Sequence, residues 1–299
     1  MVQQVNGERL EIIMAASTEY KPQWFKSKAR NSLLYAHIRV NLLKRPIRVW
    51  FWRSESVVNF GDELTPDIIK SIFKKDTVRV EPNEADLFAV GSIIEVANEH
   101  RKHSVYIWGS GYIEDGESFD NPNLRFKAVR GYMTKSRIPT KYNNIPVGDP
   151  GLLSNLVYER SSRVGSKVGI VPHFVDENDK LFDFVKNNAD DYTIISPRST
   201  PAEVVKQITE CRLVLSSSLH GLIVADSFSV PNIHMPISDM VHGGDYKFRD
   251  YYSSIDREYQ QFNKNDLYDK QKLEVVIDNY KSIVNLEDIQ QNLIKSFPF

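Results

Sequence analysis

After Pro46 the sequence settles into one rhythm: short runs rich in β-branched and aromatic residues, separated by stretches whose apolar residues recur at helical spacing. The β-rich runs fall at 47–52, 87–90, 105–108, 126–129, 167–171, 192–195, 213–215 and 232–234. Several are continuously apolar rather than alternating, as central parallel strands covered on both faces must be. Helical patterns lie between them at 65–73, 176–187, 201–211 and 219–228. Alternation of this kind predicts an α/β architecture built on parallel sheets. The polar, weakly periodic stretch YERSSRVGS at 158–166 reads as a linker. It divides the body into two Rossmann-like halves, 46–157 and 158–299, with a cleft expected between them. Beyond Ile255 the spacing is helical again, with Leu273, Val276, Ile277, Tyr280 and Ile283 on one face. This helical C-terminal tail is expected to pack back across both halves.

Composition removes several other classes. With 299 residues, 41% hydrophobic and 26% charged, the chain has the make-up of a globular protein with ample core. No apolar run approaches the ~18 residues needed to span a bilayer, and no leader with a small-residue cleavage site is visible, so the bulk of the protein is expected in the cytosol. Cys211 is the only cysteine, which rules out an intrachain disulfide and disfavours a Cys/His zinc site. The net charge of -1 hides an asymmetry, for residues 1–48 carry nine Lys/Arg against Glu8, Glu11 and Glu19. Phe25, Ala29, Leu33, Ala36, Val40 and Leu43 place one amphipathic helix over 22–44, within an N-terminal extension spanning 1–45. Two readings stay open: a helix packed on protein, or contact of residues 20–45 with an anionic membrane surface. Nucleic acid is a poor partner, because the basic excess is confined to this segment.

In open α/β sheets, ligands bind at the carboxyl ends of strands, where helix N-termini present unpaired N–H groups to anions. That rule selects Ser216-Ser217-Ser218-Leu219-His220-Gly221 most strongly, since an apolar strand precedes it and a helix follows. Val171-Pro172-His173 and Ser196-Pro197-Arg198 end neighbouring strands in the same way. A strand-end arginine suits a carboxylate or phosphate through paired charge-assisted bonds. In the first half the rule selects Asn59 and Asp62 in NFGDE, with Asp62 either capping a helix or accepting from a sugar hydroxyl, and Arg130 as an anion contact. Asp149 reads as a helix cap. Walker, HExxH and Gly-x-Ser-x-Gly motifs are absent.

Taken together, WRSESVVNFGDELTP (52–66), GSGY (109–112), VRGYMTK (129–135), PVGDPGLL (146–153), VGIVPHFVD (168–176) and SSLHGLIVADSFSVPNI (217–233) resemble the polysaccharide pyruvyl transferase family over about residues 47–255. The resemblance implies a glycosyltransferase-B-like pair of Rossmann domains. It also implies transfer of pyruvyl from phosphoenolpyruvate to sugar hydroxyls as a ketal, on a surface polysaccharide or a lipid-linked oligosaccharide precursor; if the amphipathic helix binds membrane, the expected place is the inner face of the plasma membrane. On that basis His220, Arg198 and His173 are the expected catalytic residues. Ser216, Ser217, Ser218, Leu219 and Gly221 are expected to bind the donor; Asn59, Asp62 and Arg130 would hold the acceptor. Many family members have arginine where this chain has Ser218. No cofactor or metal is needed if fixed cations supply the electrostatics. Two other readings remain on the same fold: a glycosyltransferase using a nucleotide sugar, and a non-catalytic subunit.

Overall fold

Two parallel sheets organise the structure. The first has strands β1 (Ile47–Trp50), β2 (Thr77–Arg79), β3 (Leu87–Phe88), β4 (Val105–Trp108) and β5 (Leu124–Ala128) in the order β2-β1-β3-β4-β5. The second has β6 (Val168–Val171), β7 (Tyr192–Ile194), β8 (Leu213–Ser216) and β9 (Asn232–His234) in the order β7-β6-β8-β9. All four residues of β6 and of β8 are buried, which is why both read as unbroken apolar runs. The computed structural model describes residues 45–53, 59–99, 103–118 and 120–299; the basic helix expected over 22–44 lies outside them.

Nine α-helices occur among the described residues: α1 (Phe60–Phe73), α2 (Ile94–Asn98), α3 (Tyr132–Ser136), α4 (Leu181–Asn187), α5 (Pro201–Thr209), α6 (Leu219–Ser227), α7 (Tyr246–Ser254), α8 (Lys270–Asn279) and α9 (Leu286–Ser296). Every residue of α6 is buried. Such a helix, with no polar face left to solvent, belongs inside a protein rather than on its surface. It packs with α5 and the 3-10 helix Pro150–Leu156, and touches α1 where Gly61 meets His220. One continuous apolar core therefore runs from Val49 and Trp108 of the first sheet, through Leu64, Leu152 and Leu222, to Val171 and Val214 of the second.

The C-terminal helices do reach back. Nε1 of Trp108 donates to the carbonyl of Leu293 in α9 at 2.9 Å, and Phe297 stacks on Phe73 with ring centroids 3.7 Å apart. Gln290 donates to the carbonyl of Leu152 at 2.7 Å, so α9 also clamps the segment between the sheets.

Several elements depart from the sequence expectation: the short helices α2 and α3 and the helix α7 were not foreseen, and three others differ as follows. β2 was not foreseen, because Thr77-Val78-Arg79 is a three-residue edge strand with its central valine exposed. The helix expected over 176–187 begins at Leu181, after a separate 3-10 turn, Phe174–Asp176. α1 starts at Phe60 rather than at residue 65, since Asn59 caps it by accepting from the Gly61 N–H.

Candidate functional site

The carboxyl ends of β6 and β8 meet in register at Val171 and Ser216. The Ser216 hydroxyl donates to the Val171 carbonyl at 2.8 Å and accepts from the Ser218 N–H at 3.0 Å. The Ser217 hydroxyl donates to Asp176 at 2.6 Å and accepts from the His173 N–H at 2.8 Å. Both hydroxyls, expected to bind a donor, are thus spent on holding two strand ends together. Leu219 lies in the core. A Cβ on Gly221 would come within 2.4 Å of Ser216 Oγ, so this glycine lets α6 seat directly on the strand ends. Ser218 is the N-cap of α6, yet its side chain makes no cap bond. The hydroxyl and the first N–H groups of the helix, which have no intrahelical partner, are what this loop can offer a ligand.

His220 follows in the first turn of α6 and is 7% exposed. Its Nε2 is buried with no hydrogen-bond partner. Gly61 of α1 packs against the ring so closely that a Cβ there would lie 2.1 Å from Nδ1. The first-half NFGDE motif and the second-half histidine are therefore a single contact. Burial, reinforced by the positive charges of Arg130 and Lys247 and by His173, pushes His220 down to about 3. The imidazole is neutral at pH 7.

His173 caps the Phe174–Asp176 turn, with Nδ1 accepting from the Val175 N–H at 3.4 Å, which leaves the ring proton on Nε2. Burial and then the Lys247 charge hold it near 3. Beside it Phe174 stacks on Trp52, the rings 5.2 Å apart and nearly parallel, which joins the loops after β6 and β1. Arg198 sits at the exposed rim in an ion pair with Glu177 at 2.6 Å. Its loop is tied inward, because the Pro197 carbonyl accepts from the Phe60 N–H at 2.9 Å.

The first-half residues are enclosed. Asn59 donates to Asp62 at 2.8 Å, and Asp62 is 6% exposed. Asp149 caps the Pro150–Leu156 turn through Oδ1, while its Oδ2 is buried and unpartnered. Burial, outweighing every other influence, raises each of these carboxyls to about 7. Arg130 was expected to face an anion; it is instead fully buried. Its guanidinium donates to Asp250 in α7 at 2.9 Å, to Ser92 and to the Tyr112 carbonyl. Asp250 also accepts from the N–H and hydroxyl of Thr134.

The residue that sequence reasoning missed is Lys247, in the first turn of α7. It is 7% exposed and, among the described residues, forms no hydrogen bond or ion pair. Burial, then the neighbouring charge of Arg130, lowers its pKa to about 8 against the opposing pull of Asp62 and Asp176. Its charge also reaches His173, His220 and His234. One signal was available: a lysine in a first turn opposes the helix dipole, so something other than helix stability must keep it there.

Among the described residues, no group of three or more His, Cys, Asp or Glu is placed to hold a metal ion, and no helix is long and apolar enough to cross a membrane. A cavity of about 590 Å³ lies away from this cluster, lined by the end of α7, α8 and residues 280–285. Its lining offers no histidine, and its arginine, Arg257, is bound to Asp226 at 2.9 Å. The buried cluster is the better equipped of the two for chemistry.

A succinoglycan biosynthesis protein, ExoV, of Rhizobium meliloti is 24% identical over 225 residues, covering 72% of this chain and 66% of its own length. An uncharacterized protein of Acanthamoeba polyphaga mimivirus is 31% identical over 127 residues, covering 41% of this chain and 44% of its own length. The chain thus spans less than two thirds of the length of either relative. The profile of polysaccharide pyruvyl transferases matches residues 59–239, from the Asn59 cap of α1 to just beyond β9 and over more than half of the chain. With that span matched, the chain belongs to the polysaccharide pyruvyl transferase family of transferases.

Proposed function

We propose that this protein moves the pyruvyl group of phosphoenolpyruvate onto two hydroxyls of a sugar, in a surface polysaccharide or its lipid-linked precursor, as a ketal with release of phosphate. The observation that carries this reading is His220: a neutral, buried imidazole with a free Nε2, at the N-terminus of α6 and within reach of the Lys247 charge. A small dianion with a reactive carbon suits such surroundings, because helix N–H groups and cations hold the charge while an uncharged base waits beside it. The two sheets act as a glycosyltransferase-B-like pair, the second half taking the donor and the first the glycan.

Of the two hydroxyl protons released, one ends on the methylene carbon, making the methyl group, and the other leaves with phosphate. His220 Nε2 accepts the proton of the attacking hydroxyl. Asp149, whose Oδ2 is free and whose carboxyl titrates at about 7, is a second group able to hold or give a proton at neutral pH. His173 donates to the donor through Nε2–H, and Arg198 reaches its carboxylate by leaving Glu177. Ser218 and the N–H groups of α6 hold the phosphate. Asn59 and Asp62 line the acceptor side, and Arg130 supports them from below through Asp250.

The test is phosphate release from phosphoenolpyruvate in the presence of candidate acceptor oligosaccharides, with nucleotide sugars as the control donor. Phosphate release that depends on acceptor supports the reading; transfer from a nucleotide sugar alone would replace it. The basic segment 20–45 is assigned to anionic lipid at the cytoplasmic face. Flotation with anionic liposomes, with and without residues 1–45, tests this, and equal flotation of both forms would refute it.

A further inference from the structure

At the end of α6 opposite His220 the fold builds a second recess. Asp226, in the last turn of α6, is fully buried and accepts from Asn232 Nδ2 at 2.7 Å, the Tyr251 hydroxyl at 2.7 Å, Arg257 at 2.9 Å and the Tyr280 hydroxyl at 3.0 Å. Arg257 also donates to the Lys281 carbonyl at 2.6 Å and lies over the rings of Tyr252 and Tyr280. Asn232, Arg257 and Tyr280 are thereby locked into one wall of the cavity of about 590 Å³, a volume ordinary for a ligand site. That wall carries an unmet demand. Asn232 is 5% exposed, and two acceptors, Asp226 and the Val230 carbonyl at 3.0 Å, claim its Nδ2, which fixes the orientation of the amide. Its Oδ1 is buried and, among the described residues, has no hydrogen-bond partner. A buried acceptor left in this state costs free energy that a donor from outside the chain would restore.

The chemistry of the lining selects the occupant. Asp256 and Glu258 line the cavity against Lys281, while Arg257 is already neutralised by Asp226, so an anion would meet an excess of negative charge. An organic cation would find the two tyrosine rings covered by Arg257. A purely apolar chain could rest on Ile255 and Ile283, but it would seal Asn232 Oδ1 and the carboxylates from water without giving them a donor. What fits is a neutral molecule with many hydroxyl donors and apolar C–H faces. We propose that this recess is a second carbohydrate site, which holds a neutral oligosaccharide segment by hydroxyl donation to Asn232 Oδ1, Asp256 and Glu258, with the ring C–H faces on the aliphatic wall. Asn232 opens β9, whereas the candidate active site gathers at the carboxyl ends of β6 and β8, so the two sites lie at opposite ends of the second sheet. That the segment belongs to the same glycan that receives the pyruvyl group rests on the function proposed above; the site itself does not. No bond is made or broken in the recess. Its effect is to keep a long acceptor near the transferring residues, since a glycan held at one point meets a second site on the same chain at raised effective concentration.

The experiment titrates the full-length protein calorimetrically with neutral tetrasaccharides of glucose, galactose and mannose, and with a uronic-acid tetrasaccharide and farnesol as contrasting probes. Wild type is compared with Ser282→Trp, which fills the recess from an exposed position on its lining, and with Glu258→Ala, which removes an acceptor at its exposed rim. Melting temperature and sedimentation velocity are read for all three proteins. Wild type is expected to bind at least one neutral tetrasaccharide. Ser282→Trp is expected to lose one bound oligosaccharide per chain, and Glu258→Ala to bind ~10-fold more weakly or worse, the range for loss of a hydrogen bond to a charged group. Both variants are expected to melt close to wild type. Failure of wild type to bind any of the three neutral probes would overturn the proposal, as would unchanged stoichiometry and affinity in Ser282→Trp. Preference for the uronic-acid tetrasaccharide or for farnesol would replace the assigned ligand and overturn it too. A wild-type dimer dispersed by Ser282→Trp would make the recess an interface between copies, with the same result. Oligosaccharide bound in the recess of a protein that never releases phosphate from phosphoenolpyruvate would keep this site and remove the assigned reaction. Acceptor-dependent phosphate release without binding in the recess would do the reverse.

Discussion

Two buried cations flank the same helix, α7, and are treated in opposite ways. Arg130 comes from the end of the first sheet, meets the carboxylate of Asp250, and has a hydroxyl and a carbonyl for its remaining donors. Lys247 comes from α7 itself and, among the described residues, has no carboxylate in contact; its Nζ lies 5.6 Å from the centre of the Phe248 ring. The first arrangement is closed on itself and can only hold the fold together. The second is open, with no carboxylate in contact. Charge and depth are alike at the two positions, and the presence of a partner is what separates them.

The largest effect that tests this contrast is at the closed site. Arg130→Met strands Asp250 without its cation, and the expected loss is about 3–5 kcal/mol in a urea titration. A loss below about 1 kcal/mol would mean that the pair is not the brace described here. At the open site the effect should fall on turnover rather than on stability: His220→Ala is expected to lower kcat by about 10²-fold or more, with the melting temperature essentially retained. Near-normal turnover would take His220 out of the chemistry.

Gly61 tests whether the two regions are mechanically one. Gly61→Ala places a methyl where the imidazole of His220 now lies, and overpacking of this kind costs about 1–3 kcal/mol. The sharper measure is activity: displacement of His220 should lower kcat as well, whereas stability lost with kcat unchanged would separate the contact from catalysis.

Acid supplies the smallest lever. His173, His220 and His234 have folded pKa values near 3, below their ordinary 6.5, so the unfolded chain takes up their protons first as the pH falls. Their contribution is complete above pH 6.5 and is lost between there and pH 3. Asp62 and Asp149, raised from 3.8 to about 7, act the other way over nearly the same window. The histidines outnumber the carboxyls by one, so this set should cost about 1.4 kcal/mol per pH unit of acidification. Asp149→Asn removes one opposing group and should steepen the decline in a pH series of urea midpoints; an unaltered slope would contradict the burial of its proton.

The regular part of the fold was legible because its physics is local. Val168–Val171 and the run Leu213, Val214 and Leu215 carry no polar side chain since both faces are covered, and the helix after Leu215 could be placed from the strand and serines before it. Strand-end reasoning likewise brought His220, His173 and Asp62 into one neighbourhood, now joined by shared charges and by the Gly61 contact. α7 was not legible. Its sequence YKFRDYYSS buries Lys247 and Asp250 beside its aromatics, and buried charges erase the apolar stripe on which periodicity depends. The serines misled for a related reason. A hydroxyl at a strand end looks the same in sequence whether it awaits a ligand or, as in Ser216 and Ser217, binds the neighbouring chain.

The seam between α1 and α6 has a consequence for how such proteins can diverge. With an imidazole resting on a bare α-carbon from the other half, neither half can be exchanged for a homologous one unless the incoming piece also brings a hydrogen at that position. Swapped chimeras that respect sheet boundaries but ignore residue 61 would assemble with the His220 ring displaced. Change at residue 61 and change at residue 220 are thereby coupled across the seam.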